Sequence, residues 1–526
     1  MGRTSQFLLA AYALVNAILY SALLPLWEGF DEPFHFAYVQ QAAAGRVFTD
    51  LRAARLTKEV ALSIPLAPVS PVVKVNLPCA PVYAEYFSWS AARRARDREA
   101  LNAIPPELQW DTAPVPNYEA HHPPLAYIAL AVPERLFGGM PLPNRVLLLR
   151  VLAAITGSLL LFAGAWALCQ ELGVAEPFRT IAVFCALSSQ MTWATIAHVA
   201  NDWLAVPLAI WTLVFTIRCV TTPTTRNIVL VSLLVSAGLL TKAYFVAIEP
   251  LVFGVCAWRG VRRLALHCAI VAVAALPWYI RNLVLYGSLT GMVEARAGIG
   301  HSAVLHNALS LNWPTVIRDS IRFALWTGNN TFRPFSTMTI DLLVVMYVAG
   351  LLLWAIGPKR AADWVTLGYC GLFLAALAYA AVLAHLSTWG VSAVPSPWYA
   401  QAIAAPSVTL AVLGAARGGW AGRALACGMA ILCGYILAVT YWFRLIPAYS
   451  GFEGRGSVGV ILGLYGSHLG EVIEKLGHAA LGSPLLIFGL ALLAIALIVV
   501  QEVRFMTQML PASPSSPALP PDSASP

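Results

Sequence analysis

The chain has 526 residues, of which 59% are hydrophobic and only 11% charged, and its mean hydropathy is +0.71. This composition excludes a soluble globular protein and indicates a polytopic membrane protein. The formal net charge is +8, but Lys and Arg are scattered between apolar segments, where they set orientation in the membrane and give no support for a nucleic-acid partner.

The first apolar segment runs from about residue 7 to residue 27 and is long enough to cross a bilayer. It is longer than the apolar core of a typical signal peptide, and no clear cleavage site follows, so we expect a retained span. Directly after it stands Glu28-Gly-Phe-Asp31-Glu32-Pro-Phe-His35. Pro33 suits the first turn of a helix that Asp31 or Glu32 could cap, and His35 follows one turn later on the same face.

These titratable side chains allow two interpretations. In the simpler one, they only mark the membrane boundary and cap an interfacial helix. In the other, they include an active-site carboxylate placed to meet a substrate held in the membrane, because a carboxylate at this depth is costly unless it has a partner or a function.

A long polar loop, residues 28–144, follows the first span. It closes with Tyr118-Glu119-Ala-His121-His122-Pro123-Pro124-Leu-Ala-Tyr127, after which an apolar stretch to Phe137 is too short to span a bilayer comfortably. Because the twin prolines set the start of a helix, we expect this stretch to form a helix lying in the membrane interface.

Further apolar segments continue to residue 501 and bring the predicted total to about twelve transmembrane helices. They cover about residues 147–169, 180–198, 203–218, 227–241, 244–258, 264–281, 338–357, 364–385, 399–416, 424–443 and 483–501. With the N-terminus in the cytoplasm, most arginines between the segments fall on the cytoplasmic side, so we expect both termini there and the loops 28–144, 282–337 and 444–482 outside. Residues 503–526, rich in Pro and Ser, are predicted to form a disordered cytoplasmic tail.

Under this topology, polar residues from distant parts of the chain meet at one outer boundary. They are Asp31, Glu32, His35, Glu119, His121, His122, Asn201, Asp202, Lys242, Arg281 and Asn282. Each alone has a simpler explanation, since Lys242 and Arg281 could snorkel to the headgroups and Asn201 could cap a helix. Together they are harder to explain, because the orientation rule disfavours cations in short outer hairpins. We therefore predict one extracytoplasmic site.

Such a site suits a lipid phosphate and a hydroxyl, because cations bind the phosphate and a carboxylate acts as general base on the hydroxyl. If the donor is a sugar on a polyprenyl phosphate, the leaving group is already a stabilised anion. One base then suffices, whereas glycosidases need a second carboxyl as general acid. Lys242, Arg281 or protonated His122 could stabilise the departing phosphate. One base and one displacement predict inversion at the anomeric carbon.

An ordered set of motifs carries a family resemblance: Asp31-Glu32 with His35, His122-Pro-Pro-Leu-Ala-Tyr127, Arg150, Asn201-Asp202, Leu240-Thr-Lys242 and Pro277-Trp-Tyr-Ile-Arg281-Asn282. The set resembles the GT-C superfamily of multi-spanning glycosyltransferases, and within it the branch of protein O-mannosyltransferases and lipid A aminoarabinose transferases. The resemblance implies an all-α integral membrane GT-C fold and a hexosyl- or pentosyltransferase of cell-envelope glycan biosynthesis. It also implies a polyprenyl-phosphate-linked sugar donor, used at the outer face of the bacterial inner membrane.

The resemblance assigns roles to the matching positions. Asp31 would be the catalytic base, and Glu32 would orient the acceptor or the base. His122, Lys242 and Arg281 would bind the donor phosphate. Possible substrate contacts are His35, Glu119, His121, Tyr127, Asn201, Asp202 and Asn282. Residues 1–290 would form the catalytic module and residues 291–502 a C-terminal transmembrane region.

One stretch departs from the family pattern. Many relatives carry Arg-Tyr at the outer start of a late span, where this chain has Pro397-Trp398-Tyr399-Ala-Gln401. A phosphate or sugar contact is therefore either missing or supplied from elsewhere, with Arg333 as a candidate.

The sequence leaves metal use open. A divalent ion could be bound by Asp31, Glu32, His35, His121 and His122, and this mixture of carboxylate and imidazole suits Mn or Zn better than Mg. However, no HExxH spacing is present, the nine cysteines form no CxxC pair, and the donor chemistry does not demand a metal. We expect no tightly bound metal and no other cofactor.

Two other functions share some of these features. A transporter or flippase of a lipid-linked or anionic substrate would place polar groups near the bilayer midplane and show internal repeats, and neither is visible in the sequence. An O-antigen ligase or polymerase would share the lipid donor but transfer a preassembled glycan. The acceptor is left open between a lipid, a polysaccharide and a protein.

Overall fold

The computed structural model describes residues 2–292, 299–326, 335–388, 390, 392–452 and 457–509. Across these residues the chain is helical, apart from loops and one short two-stranded sheet. Each apolar segment predicted to be a span is mostly helical, although the predicted number of about twelve spans is not confirmed. The chain is therefore an α-helical membrane protein, as the composition predicts.

The N-terminal part contains the first span and the folded loop that follows it. Its elements are α1 (Gly2–Leu23), α2 (Glu32–Ala43), β1 (Arg55–Thr57), α3 (Lys58–Ser63), α4 (Pro71–Lys74), α5 (Tyr83–Ser88), α6 (Ala91–Asn102), β2 (Thr112–Pro116) and α7 (Leu125–Leu136), with 3-10 turns over Ile64–Leu66, Pro106–Trp110 and Tyr118–His121. Strands β1 and β2 pair antiparallel, with Arg55 opposite Pro116 and Thr57 opposite Thr112. The stretch expected to form an interfacial helix is α7.

The remaining elements are mostly long apolar helices. They are α8 (Leu142–Glu171), α9 (Phe178–Leu187), α10 (Gln190–Ile196), α11 (Asp202–Thr221), α12 (Thr225–Leu239), α13 (Phe245–Trp258), α14 (Val261–Ala274), α15 (Leu276–Tyr286), α16 (His301–Ser310), α17 (Trp313–Leu325), α18 (Thr337–Ile356), α19 (Ala361–Ser387), α20 (Gln401–Arg417), α21 (Gly419–Val439), α22 (Val458–Ala479) and α23 (Pro484–Met509). Helix α21 continues into wider, π-helical turns over Thr440–Leu445 and Ala448–Phe452.

Among the described residues, seven helices are long and apolar enough to cross a membrane, or eight if a bent pair counts as one span. The bent pair is α14 and α15, which meet at 53°. The bend follows from Pro277, because a proline in the first turn of α15 cannot donate the hydrogen bond that would continue α14. The predicted span 180–198 is likewise divided into α9 and α10 at Ser188, whose hydroxyl donates to the Phe184 carbonyl.

The C-terminal boundary differs from the predicted one. The tail was expected to begin at residue 503, but α23 continues to Met509 because its apolar residues, including the buried Phe505 and Met509, still pack against the bundle. The rest of the predicted tail lies outside the described residues.

Close helix packing depends on glycine in the C-terminal half. Helices α18 and α20 approach each other so closely at Gly350 and Gly414 that a Cβ on Gly414 would collide with the Gly350 carbonyl. Small residues at such contacts allow two helix backbones to meet inside a membrane. On the other side of the bundle, α1, α8 and α11 pack together and carry the loop that contains α2.

Candidate active site

The turn between α1 and α2 has an unusual backbone. Both Trp27 and Asp31 adopt left-handed φ values, 66° and 54°. Such values are uncommon outside glycine and persist only when the surroundings enforce them. Asp31 precedes the first residue of α2, but its side chain makes no capping hydrogen bond. The predicted capping role of Asp31 is therefore wrong, because the left-handed turn directs its carboxylate away from the helix.

The Asp31 carboxylate is held by two donors from the loop. The Tyr118 hydroxyl donates to Oδ1 at 2.5 Å, and Asn76 Nδ2 donates to the same atom at 3.1 Å. Burial raises the pKa of Asp31 to about 6, and the nearby Glu119 adds to the increase, while the two hydrogen bonds oppose it. A carboxyl with this pKa can both lose and accept a proton near neutral pH.

Asp31 also lines a cavity of about 100 Å³. The other lining residues are mainly apolar and come from α2, α4 and a distant loop: Phe30, Pro33, Phe34, Val72, Val73, Asn76, Leu77 and Trp398. Phe30 and Trp398 pack ring against ring, with centroids 4.6 Å apart. The cavity thus brings a single carboxylate, one amide and an aromatic wall to the same small space.

Glu32 points elsewhere and is engaged in a buried ion pair. Arg150 of α8 binds both Glu32 oxygens, one of them through Nε at 2.7 Å, and the backbone N–H of Val199 donates to Glu32 Oε1 at 2.9 Å. Arg150 also donates to the carbonyls of Leu24 and Pro25, just beyond α1. Both side chains are fully buried. This arrangement makes Glu32 a structural tie between α1, α2 and α8, and its catalytic role stays a prediction.

His35 belongs to a third, separate group. Its Nδ1 lies 2.7 Å from the Tyr127 hydroxyl, and its Nε2 lies 3.7 Å from Glu119 Oε2. His122 Nε2 lies 2.7 Å from the same Glu119 oxygen. His121 is close by, with its ring centroid 4.1 Å from that of His122, and its Nδ1 contacts the Tyr118 carbonyl. Glu119, His121, His122 and Tyr127 are thus brought together with His35, in contacts separate from the hydrogen bonds of Asp31 and Glu32.

The imidazoles of His35 and His122 are neutral at neutral pH. Burial, together with the nearby Lys242, lowers the pKa of His122 to about 3. Burial also lowers the pKa of His35 well below its usual value, and His122 contributes to the decrease. The protonated His122 considered from the sequence is therefore not supported, because a second charge in this buried place beside Lys242 is unfavourable.

The end of α12 ties the remaining motifs together. Its last carbonyls have no partner within the helix, so other segments satisfy them. The Tyr279 hydroxyl donates to the Leu239 carbonyl at 2.9 Å, and the backbone N–H of Leu125 donates to the Leu240 carbonyl at 2.8 Å. Asn201 Nδ2 donates to the Thr241 carbonyl at 3.2 Å. Four motifs from distant parts of the sequence therefore meet at one helix end.

Lys242 follows directly and is buried in an ion pair. Its Nζ lies 2.5 Å from Asp202 Oδ1, and both side chains are almost fully buried. The ammonium group also lies over two aromatic rings, 5.1 Å from the centroid of Tyr399 and 5.9 Å from that of Tyr244. Because an ammonium group carries three donors, the contact with Asp202 leaves donor capacity for a further anion.

Arg281 and Asn282 both donate hydrogen bonds to backbone carbonyls. Arg281 donates to the carbonyls of Phe48 and Thr49, each at 3.0 Å, and its guanidinium packs against Trp278. Asn282 is buried and donates to the Leu289 carbonyl at 3.3 Å. The phosphate-binding role of Arg281 stays a prediction, and so does the substrate contact of Asn282. Arg333 lies outside the described residues.

Several residues of the site escaped the sequence analysis. They are Asn76, Tyr118, His198 and Trp398. His198 is buried beneath the turn, where a side chain on Gly29 would place its Cβ 2.8 Å from His198 Cβ. Tyr118 stands next to a motif that was recognised, and Pro397-Trp398-Tyr399 repeats the triplet Pro277-Trp278-Tyr279. Asn76 and His198 carry no local signal of this kind.

Comparisons with known proteins find no match in sequence, either to a protein-family model or to a curated protein. Among solved structures, ArnT from Cupriavidus metallidurans in the apo state is similar at 15% identity and a TM-score of 0.40, over 89% of this chain and 77% of that one. The structure of the same protein bound to undecaprenyl phosphate is similar at 17% identity and a TM-score of 0.38, over 84% of this chain and 76% of that one. The Archaeoglobus fulgidus oligosaccharyltransferase tethered with an acceptor peptide is similar at 13% identity and a TM-score of 0.42, over 92% of this chain and 56% of that one. Because these identities and TM-scores are low, the likeness carries no argument about function.

Proposed function

We propose that this membrane protein is an inverting glycosyltransferase of the GT-C type. It moves a hexosyl or pentosyl group from a polyprenyl-phosphate donor to an acceptor hydroxyl at the extracytoplasmic face. The observation that carries the proposal is the Asp31 carboxylate, which lies in a left-handed turn at a small cavity and has a pKa raised to about 6. The resemblance of the motifs to GT-C enzymes supports the same assignment.

The chemistry needs one proton acceptor. The acceptor hydroxyl attacks the anomeric carbon, its proton passes to Asp31, and the bond between that carbon and the phosphate oxygen breaks, so that the phosphate leaves with the bonding electrons. A single displacement of this kind inverts the anomeric configuration. Tyr118 and Asn76 fix the orientation of the carboxylate, and the fully engaged Glu32 leaves Asp31 as the reacting acid.

The departing phosphate needs positive charge or hydrogen-bond donors nearby. Lys242 supplies the cation, since Asp202 occupies only part of its donor capacity. The neutral His122 lies close enough for Lys242 to affect its pKa, and the backbone bond from Leu125 to Leu240 keeps the two motifs in contact. We assign donor-phosphate binding to Lys242 and the His122 group, with Arg281 as a further candidate.

The positions of the cations on α8 and α11 support the extracytoplasmic side. Both helices begin at the site, where α8 carries Arg150 and α11 begins with Asp202. Their opposite ends lie among arginines: Arg218 binds Glu171 at 2.7 Å, and Arg360 donates to the Leu172 carbonyl. Because cationic loops favour the cytoplasm, these arginines support an outward-facing site, while Arg150 and Lys242 at the site end are each paired with a buried acid and add little net charge there.

The test is a transfer assay with purified protein in detergent and a radiolabelled polyprenyl-phosphate monosaccharide. We expect label to leave the lipid in the presence of an acceptor, and Asp31→Asn to lower the rate at least about 100-fold, the scale of a lost general base. Asp111→Asn is the matched control, because Asp111 is an exposed acid of the same loop, paired with Lys58.

Two results would overturn the proposal. One is well-folded Asp31→Asn protein that transfers sugar as fast as the parent. The other is label that stays on the carrier with every acceptor class tested but crosses sealed vesicles, which would identify a transporter. Transfer of only preassembled glycans, with monosaccharide donors inert, would identify a ligase or polymerase instead.

A further inference from the structure

The group formed by His35, Glu119 and His122 has the composition of a metal site. One ligand atom from each residue, an imidazole nitrogen or a carboxylate oxygen, lies within 4.8 Å of the others. All three residues are at least nine-tenths buried, with exposures of 5%, 5% and 7%. Two imidazoles and one carboxylate in a dry site are the three-ligand set of many zinc centres.

The ligands are held by rigid parts of the fold. His35 lies on α2, every residue of which is buried. The backbone N–H of Glu119 donates to Asn117 Oδ1 at 3.1 Å, and the Tyr38 hydroxyl donates to the His122 carbonyl at 3.4 Å. A site whose ligands are fixed in this way before the ion arrives loses little conformational entropy on binding.

The surroundings of His35 resemble those of a metal-bound histidine. Such a histidine usually bonds through its second ring nitrogen to another group, which fixes the tautomer and aims the first nitrogen at the metal. Here Nδ1 of His35 lies 2.7 Å from the Tyr127 hydroxyl, so Nε2 faces Glu119. His122 presents Nε2 to the same carboxylate oxygen.

We propose that His35, Glu119 and His122 bind one Zn²⁺ ion and leave one coordination position for water or a phosphate oxygen. Imidazole ligands select zinc over magnesium and calcium, which prefer all-oxygen sites. The ion balances the buried Glu119 carboxylate and adds a net positive charge near Lys242. The proposal extends the donor-phosphate site of the proposed function, but metal binding itself does not depend on that function.

This site differs from the one that the sequence suggested. The sequence grouped Asp31 and Glu32 with His35, His121 and His122, but in the folded chain those two acids bind Tyr118 and Arg150 instead. Glu119 takes their place. The proposal therefore departs from the expectation, drawn from the sequence, of no tightly bound metal.

The first experiment measures zinc directly, without any sugar donor. The full chain, purified without a polyhistidine tag, is loaded with ZnCl₂, freed of excess ion and analysed by elemental mass spectrometry. We expect about one zinc per chain in the parent and in His478→Ala, and loss of most of that zinc in His35→Ala and Glu119→Gln. His478 is the matched control because it forms a separate histidine–glutamate pair with Glu474 at 3.2 Å.

The second experiment starts with the parent chain, so its main result does not depend on whether a variant folds. Cobalt(II) replaces zinc in the parent chain, and we expect the visible absorption bands of a four-coordinate nitrogen and oxygen site. In the same titration, Tyr127→Phe should weaken metal affinity by about 10–100-fold through the lost outer hydrogen bond.

The proposal is overturned if the parent retains no zinc and shows no four-coordinate cobalt spectrum, or if folded His35→Ala and Glu119→Gln retain as much zinc as the parent. Equal loss of zinc from His478→Ala would also overturn it. Sugar transfer by zinc-free protein would leave the proposed function intact, so the two proposals fail separately.

Discussion

The raised pKa of Asp31 predicts how the rate of the proposed transfer depends on pH. A general base must be deprotonated, and the pKa of Asp31 is raised to about 6. We therefore expect kcat/KM for transfer to rise with pH through about 6 and to level off above it.

Changing Tyr118 to Phe tests this assignment. The hydroxyl stabilises the charged carboxylate, so its removal should shift the midpoint of the pH profile of kcat/KM upward. Tyr286→Phe is the control, because Tyr286 bonds to the loop at Leu51 and should leave the midpoint unchanged. A profile that is flat between pH 5 and 8 in the parent would contradict the role of Asp31.

The ion pair of Glu32 and Arg150 makes a prediction about stability. Removing one partner of a buried pair leaves an uncompensated charge and costs about 3–5 kcal/mol, whereas replacing both with apolar residues costs much less. We expect Glu32→Leu and Arg150→Met each to lower the midpoint of thermal unfolding in detergent, and the double variant to recover part of the loss. Strictly additive losses would show that the pair is not coupled.

These residues also show how far the sequence leads at this scale. Asp31, Glu32 and His35 were correctly marked as unusual, because charged groups at a membrane boundary need a reason. Their partners could not be predicted, since each lies in a different segment: Tyr118 and Asn76 in the loop, and Arg150 on α8. Only the tertiary fold decides which acid reacts and which one is structural.

At the scale of elements, the contact between α18 and α20 should be sensitive to a single methyl group. In Gly414→Ala the new Cβ would press against the Gly350 backbone, which cannot move aside as a side chain can. We expect a loss of about 1–3 kcal/mol of stability, measured as a lower thermal midpoint and a lower yield of folded protein.

Gly371→Ala on α19 is the matched control for that substitution, because a Cβ there meets no atom within 4 Å. We expect its thermal midpoint to equal that of the parent or to exceed it, since alanine favours helix over glycine. If both variants unfold at the parent temperature, the two helices do not pack as closely as described.

The elements themselves were largely predictable and their lengths were not. Long apolar runs identify helices such as α8 and α23, because no other structure satisfies the backbone in lipid. The breaks at Ser188 and Pro277 depend on local hydrogen bonding, which a count of apolar residues does not register. The meeting of four motifs at the end of α12 was expected from topology, but the carbonyls that join them were not.

For the whole molecule, orientation in the membrane is the property to test. Cys79 is exposed in the first loop, and the other exposed cysteine among the described residues, Cys268, lies on the membrane-spanning α14. We expect a membrane-impermeant maleimide to label Cys79 from the outside of intact cells whose outer barrier is permeable to it. Cys79→Ser should abolish this labelling.

A cysteine placed at Arg226 in the Cys79→Ser background provides the complementary measurement. Arg226 is exposed in the first turn of α12, at the end expected in the cytoplasm. It should react only after the membrane that holds the protein is opened. The reverse labelling pattern would place the Asp31 loop in the cytosol and would be incompatible with the proposed donor.

Two of the segments that line the cavity beside Asp31 differ in how freely their residues can change. One wall is α2, which has no surface left to vary without disturbing the interior. The other is the short stretch Val72–Leu77, with Val72 half exposed. Under the proposed function, recognition of the acceptor can therefore diverge along those few positions while the Asp31 carboxylate stays fixed. Exchanging Val72–Leu77 between related chains is then a direct way to change the product that the proposed enzyme makes.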